Sequence, residues 1–427
     1  MRVPSFILPL MSLIVYSVAA AASAQESATL RAGVARVEIT PEKAVRMSGY
    51  GSRKDLSTGV HDPLSARVLA FEAGQERLVL ISTDLIGFYG GTADQMRDAI
   101  LGELGLDPSE LFLSAIHTHA GPTLSLDAER THENNVAYTR ALEGKLIEVI
   151  REALDGMRPV RIGVGVGYSP VGMNRRELRT GRDGSVSIHL GRNPSGVTDK
   201  EVLVMNVVGE GDRPVAVAFD YATHATCLGP KNLVISGDVL GLAEQFVERI
   251  LGSEVIAPAF AGASGDIDPW YRVLPGFNEE PGWVPEPVLL GTLLGEEVVH
   301  TSRGIREFAG TGRIASEFAT LQLPGKAKEG QSNSPSETVA LNVSVARVGD
   351  VAFVGLGAEV LTEIGLAIKA GSPCEHTFVI THCNGAASYL APRELHVEGG
   401  YEVRSSPFAP EAAETVVREC VRMLHSL

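Results

Sequence analysis

Short apolar runs bounded by glycine, proline and polar residues alternate along the chain with longer stretches in which apolar positions recur at helical spacing. The runs predict strands over Arg31 to Ile39, Arg67 to Phe71, Arg77 to Ser82, Leu111 to Ile116, Val202 to Val208, Val215 to Asp220, Glu254 to Phe260 and Val351 to Gly355. The helical spacing predicts helices over Thr92 to Leu104, with Thr92 able to cap, and over Asn134 to Ala153, Val239 to Leu251, Val288 to Arg303, Val360 to Ala370 and Glu411 to Leu424. Strand and helix in alternation make an α/β fold. Some strands follow one another directly. Gly209-Glu210-Gly211-Asp212 reads as a hairpin turn between two of them, so the expected architecture is a layered sandwich of mixed β-sheets and helices. No internal repeat or long linker divides the chain, which reads as one compact unit. Gly325 to Glu337, rich in Ser, Gly and Lys, reads as a solvated loop. Leu274 to Pro287, with Trp283 among its prolines, reads either as a lid over a pocket or as a disordered crossover.

A hydrophobic fraction of 44% with 21% charged residues is that of a water-soluble globular chain with a sizeable core. The net charge of −15, with no run of Lys or Arg, excludes the basic footprint of a nucleic-acid partner. The N-terminus has the form of an export signal. Arg2 supplies the positive end, Phe6 to Val18 the apolar middle and Ala22-Ser23-Ala24 the cleavage pattern. Residues 1–24 are therefore expected to be removed, leaving a periplasmic or secreted mature chain over residues 25–427. The apolar stretch is broken by Pro9, and no later segment is apolar enough to span a bilayer, so no transmembrane anchor is expected. In an oxidising compartment Cys374 and Cys383 can close a short loop, although spacing alone leaves their pairing open. Cys227, three residues after His224, reads as a small buried apolar residue sooner than as a ligand or nucleophile.

The chemistry gathers at strand ends. Leu111 to Ile116 reads as an interior strand of a parallel sheet, and ligands bind outside the carboxyl ends of such strands. It runs into Ile116-His117-Thr118-His119-Ala120-Gly121-Pro122. In a strand alternate side chains share a face, so His117 and His119 are expected to serve one site, one binding an ion and the other the substrate. His224 ends another apolar strand, and Glu359 follows a third just before a helix. His117, His224 and Glu359 form a set suited to catalytic zinc, which keeps an open position. The competing readings are structural histidines at turns and a Glu359 that caps its helix. Ser264 is a weaker nucleophile candidate, since a nucleophile elbow needs glycine where the chain has Asp266.

Further motifs follow in order: Gly49-Tyr50-Gly51, Gly59-Val60-His61-Asp62-Pro63-Leu64, Ser82-Thr83-Asp84, Asn174-Arg175, Thr223-His224, Ser236-Gly237-Asp238 and Gly265-Asp266-Ile267-Asp268-Pro269. Near the C-terminus stand Thr381-His382-Cys383-Asn384-Gly385-Ala386-Ala387-Ser388-Tyr389-Leu390-Ala391-Pro392 and Glu398-Gly399-Gly400-Tyr401-Glu402. Together with the His117 to Pro122 run, this series resembles the neutral or alkaline ceramidase family, zinc-dependent amidases of the N-acylsphingosine type, over nearly all of the expected mature chain. The resemblance implies a layered α/β catalytic domain with one zinc ion held by His117, His224, Glu359 and Tyr389. It implies that His119 and Arg175 face the substrate. The chain departs from the family at Asp268, where the family motif carries a serine with a catalytic role. Metal-activated water then stands as the nucleophile, with Asp268 supporting it, or serving as a turn residue or an extra anionic group. The family's C-terminal immunoglobulin-like domain is expected to be absent.

The resulting expectation is an exported zinc-dependent amidohydrolase acting on a small-molecule or lipid amide, with ceramide or a related N-acyl compound foremost. In it His119 shuttles a proton and Arg175 holds the developing oxyanion or a substrate hydroxyl. The alternatives are a metal-dependent esterase or amidase for a smaller, non-sphingolipid substrate, and an inactive ligand-binding homologue.

Overall fold

In the computed structural model, residues 28–270, 286–326 and 337–427 are described. The expected export signal lies outside them, as do most of Leu274 to Pro287 and most of the Gly325 to Glu337 loop. Three sheets carry the architecture. The first runs in the order of a short strand at Thr311–Gly312, then β1 (Ala28–Glu38), β2 (Ser65–Ala73), β3 (Glu76–Thr83) and β4 (Leu111–Ala115). Besides the short antiparallel pair of β6 (Gly172–Asn174) with β10 (Ile267–Pro269), the second sheet has the order β9 (Ala259–Ala261), β8 (Pro214–Tyr221), β7 (Glu201–Val208), β5 (Arg161–Tyr168). The third has the order β11 (Ile314–Pro324), β12 (Thr338–Val348), β13 (Val351–Leu356), β15 (His376–Ile380). A two-residue pair joins β14 (Glu359–Val360) to β16 (Tyr389–Leu390) in parallel.

One unit recurs in the three sheets although the sequence shows no repeat. An antiparallel hairpin leads into a helix, and the helix returns a strand parallel to the second hairpin strand. The helices are α1 (Thr92–Leu104) between β3 and β4, α3 (Asp238–Leu251) between β8 and β9, and α5 (Thr362–Gly371) between β13 and β15. Each gains a second helix on its layer: α2 (Glu133–Asp155), α4 (Glu286–Gly304) and α6 (Ala412–Ser426) respectively. The central strands β2, β3, β7, β8 and β13, and β4, are buried on both faces, which is why they read as continuous apolar runs. On β3, Val79 and Ile81 point into the core beneath α1 and α2. Leu78 and Leu80 point into a central core shared with Met205 and Ala218 of the second sheet and Phe353 and Phe378 of the third. Helices thus lie outside and three sheets face one another within. Arg67 of β2, fully buried, ties the first sheet to α3 through Glu244 at 2.6 Å and Glu248 at 2.8 Å.

Most predicted elements form, and the hairpin at Gly209 to Asp212 closes β7 onto β8. Four expectations need correction. Leu111 to Ile116 is an edge strand, because among the described residues β4 pairs only with β3. Its faces are buried in the two cores and Asn384 covers the open edge: its backbone N–H donates to Leu113 O, its Nδ2 donates to Leu111 O, and its Oδ1 accepts from Leu113 N. The strand expected from Glu254 begins only at Ala259: Glu254 is still in a turn after α3, Ile256 makes only an isolated bridge to Ala216, and Pro258 has no N–H to donate. Thr92 is the first helical residue and not the cap. Its hydroxyl donates back to Tyr89 O while Gly91 caps. Cys374 and Cys383 are free thiols, one at a loop after α5 and one in the central core.

Candidate metal centre

The carboxyl ends of the three parallel strand pairs meet, and the singled-out side chains lie there. His117 follows β4 at a left-handed turn (φ 61°). Strand alternation therefore does not bring His117 and His119 together, as the sequence suggested; the turn does, setting their Nε2 atoms 3.2 Å apart. His224 leaves β8 with its N–H donated to Ile267 O. Glu359 sits on β14, beside Tyr389 on β16, and does not cap α5, which Leu361 precedes.

The hydrogen bonds set the tautomers. His117 Nδ1 donates to Ile86 O at 2.7 Å and His224 Nδ1 to Ser264 O at 2.7 Å, because a carbonyl can only accept. Both Nε2 atoms therefore carry lone pairs in the neutral rings. They face Glu359 Oε2, at 3.5 Å from His117 Nε2 and 3.7 Å from His224 Nε2. That oxygen is buried with no hydrogen-bond partner, while Oε1 accepts from Tyr89 OH at 3.0 Å. Two lone pairs and an anionic oxygen converging without a proton between them fit a divalent cation, and donor separations near 3.3 Å follow from bonds of about 2.0–2.1 Å to a tetrahedral ion. Imidazoles anchored through Nδ1 to backbone carbonyls are the usual support of metal-bound histidine. His119 joins the cluster, the three imidazoles having ligand atoms within 4.8 Å of one another.

Arg175, just after β6, lies against the cluster from the other side. Its Nε donates to Glu402 Oε1 at 2.8 Å, its Nη1 to Asp268 Oδ1 at 3.1 Å, and its Nη2 to Tyr389 OH at 3.1 Å; Nη1 also lies 3.2 Å from His224 Nε2. Asp268, on β10, is thus an ion-pair partner of Arg175. Tyr389 is brought to the site by this arginine and by its β14 neighbour. Glu402 also pairs with Arg176, 2.9 Å from Nη1.

Burial governs the charge states. It pushes the His224 imidazole down to about 4, with Arg175 adding to the effect, and holds His119 and His382 well below the ordinary histidine range, with His117 adding in each case. Burial alone would raise the Glu359 carboxyl. The neighbouring imidazoles, His117 foremost, outweigh it and keep Glu359 well below the usual carboxylate range. Burial pushes the Tyr389 phenol up, Arg175 opposing and Glu359 adding. The shifts of His224, His119 and Glu359 favour neutral imidazoles and an ionised carboxylate, the states a cation requires.

Three residues with no predicted role belong to the site. Tyr89 is reached through a loop with no pattern of its own. Glu402 and His382 both stood inside quoted motifs, but nothing in the sequence tied them to Arg175 and His117. Gly49 (φ 98°) also matters: a β-carbon there would lie 2.4 Å from His119 Nδ1, so the glycine lets that imidazole pack against the Tyr50 ring.

The profile described as neutral/alkaline non-lysosomal ceramidase, N-terminal, matches residues 30–269. A neutral ceramidase of Oryza sativa subsp. japonica is 26% identical over 372 residues, covering 83% of this chain and 43% of its own length. A neutral ceramidase of Mycobacterium tuberculosis is 26% identical over 255 residues, 56% of this chain and 39% of its own length. The chain thus spans less than half the length of these curated relatives. The crystal structure of neutral ceramidase from Pseudomonas aeruginosa superimposes with a TM-score of 0.73 at 19% identity, over 93% of this chain and 74% of that one, and has the same fold.

Proposed function

Because the chain belongs to the neutral/alkaline non-lysosomal ceramidase family, we propose that it is an exported zinc-dependent amidohydrolase cleaving the amide of an N-acyl substrate of the ceramide type. The observation that carries the metal part is Glu359 Oε2, buried, ionised and unpartnered, opposite the Nε2 lone pairs of His117 and His224.

In this reading His117, His224, Glu359 and Tyr389 hold the ion. Bound there, zinc supplies a Lewis acid for the carbonyl oxygen and brings the pKa of water to about 7. The remaining steps fall to the protein. His119, kept neutral by burial, accepts a proton at a ring nitrogen and returns it to the leaving amine. Arg175 presents a fork fixed by Glu402 and Asp268, so a carbonyl oxygen or substrate hydroxyl meets an oriented donor with little reorganisation. Asp268 acts mainly by holding that arginine. Its carboxylate, standing where the family motif has serine, leaves water as the nucleophile. It also favours a second reading, an esterase or amidase for smaller polar substrates, because it adds negative charge beside the bond to be cleaved.

Metal analysis combined with product mass from N-acylsphingosines, N-acyl amino acids and simple esters tests both readings. Release of sphingosine by metal-loaded protein, lost in His117→Ala, is the expected result. Turnover confined to esters or short amides assigns the second reading, and full turnover by the His117→Ala protein removes the metal from the mechanism.

A further inference from the structure

We infer that His382 is a positioning residue for metal binding: its ring is the flat support that fixes the plane of His117. The inference rests on the metal reading above. His382 follows β15, and its imidazole lies face to face with that of His117, centroids 3.8 Å apart and planes within 10°. Both side chains are buried. Both residues are also left-handed, His382 at φ 52° and His117 at φ 61°. For a residue with a β-carbon that conformation costs on the order of 1 kcal/mol or more. His382 Nδ1 is in addition buried without a hydrogen-bond partner, which costs about 1–3 kcal/mol. An apolar side chain of similar size would avoid the second penalty, so filling space does not account for an imidazole here.

The stack supplies what the other contacts of His117 do not. A single hydrogen bond from Nδ1 to Ile86 O fixes one ring atom but leaves the ring free to rock about that bond. The neighbouring imidazoles of His119 and His224 meet His117 edge-on, at 82° and 76°. His382 lies flat against it and blocks the rocking, so Nε2 stays aimed at Glu359 Oε2 and the His224 lone pair. The support is itself rigid. Thr381 donates its N–H and hydroxyl to Ala261 O on β9, Cys383 N donates to Leu356 O at the end of β13, and Asn384 is bonded to β4. The residues flanking His382 are thereby anchored to all three sheets.

The test measures metal affinity of the full chain without catalysis, by Zn²⁺ competition against a chromophoric chelator and by the visible absorption of bound Co²⁺. His382→Asn removes the ring but tolerates the left-handed backbone. His382→Phe keeps a flat ring without nitrogens. Outer-shell partners that orient a ligating histidine are worth about 10- to 100-fold in metal affinity, so His382→Asn should fall toward that range with an altered Co²⁺ spectrum, and folded His382→Phe should bind like the parent protein. Parental affinity and spectrum in His382→Asn overturn the inference, as does a His382→Phe protein that melts normally yet binds as weakly as His382→Asn. A parent protein that takes up neither ion overturns the metal reading itself, and this inference with it.

Discussion

Glu402 is the residue on which the geometry of Arg175 turns. It is fully buried, and its two oxygens neutralise two arginines that are themselves buried. Removing one partner from such an arrangement leaves uncompensated buried charge, at a cost of about 3–5 kcal/mol. Glu402→Ala should lose stability of that order in urea denaturation. Glu402→Gln keeps the shape and one acceptor, so it should lose less while still slowing turnover, because the Arg175 fork is held by a weaker neutral bond. Equal urea midpoints for Glu402→Ala and the parent would show that the arginines find other partners. At this scale the candidate ligands were legible, since imidazoles and a carboxylate at the ends of apolar runs are rare company. Their supports were not, because Arg175 and Glu402 stand 227 positions apart in the chain.

At the scale of elements, β4 is a strand whose open edge is closed by Asn384, through its side chain and its backbone N–H. Asn384→Ala removes two side-chain bonds to β4 and places alanine at φ 57°. A loss of about 2–4 kcal/mol is expected, with early hydrogen exchange at the amide of Leu113; Asn384→Gly, which relieves the backbone, should recover part of it. A second element-scale device lies at the end of β8, where burial holds the Asp220 carboxyl up at about 7, Lys369 pulling it down. An unfolded aspartate titrates near 4. Between those values the folded protein keeps a proton that the unfolded chain has released, so this group makes the fold less stable as pH rises from about 4 to about 7. Asp220→Asn has no proton to lose. Its stability relative to the parent should therefore climb through that window by on the order of 1 kcal/mol per pH unit; a difference that stays flat with pH would mean the carboxyl is already ionised in the fold.

Across the whole molecule, the candidate site joins the three sheet units. His117 and His119 come from the first, His224 from the second, and Glu359 and Tyr389 from the third. An ion bound there holds three layers together, and binding at 1,000 times its dissociation constant stabilises the native state by about 4 kcal/mol. Chelation should therefore lower the melting temperature of the parent protein, and re-addition of Zn²⁺ should restore it. In His117→Ala the chelator should have little effect, and a full shift in that variant would place the ion elsewhere. Order along the chain set the segments, the apolar character of the central strands, the acidic balance and the residue types of the site. Those are local properties, carried by periodicity and by neighbours within a few positions. Tertiary packing made β4 an edge, turned His117 left-handed, brought three similar units together and laid His382 flat against His117. Such outcomes depend on packing between segments far apart in the chain, and packing energy leaves no periodic trace in the order of residues.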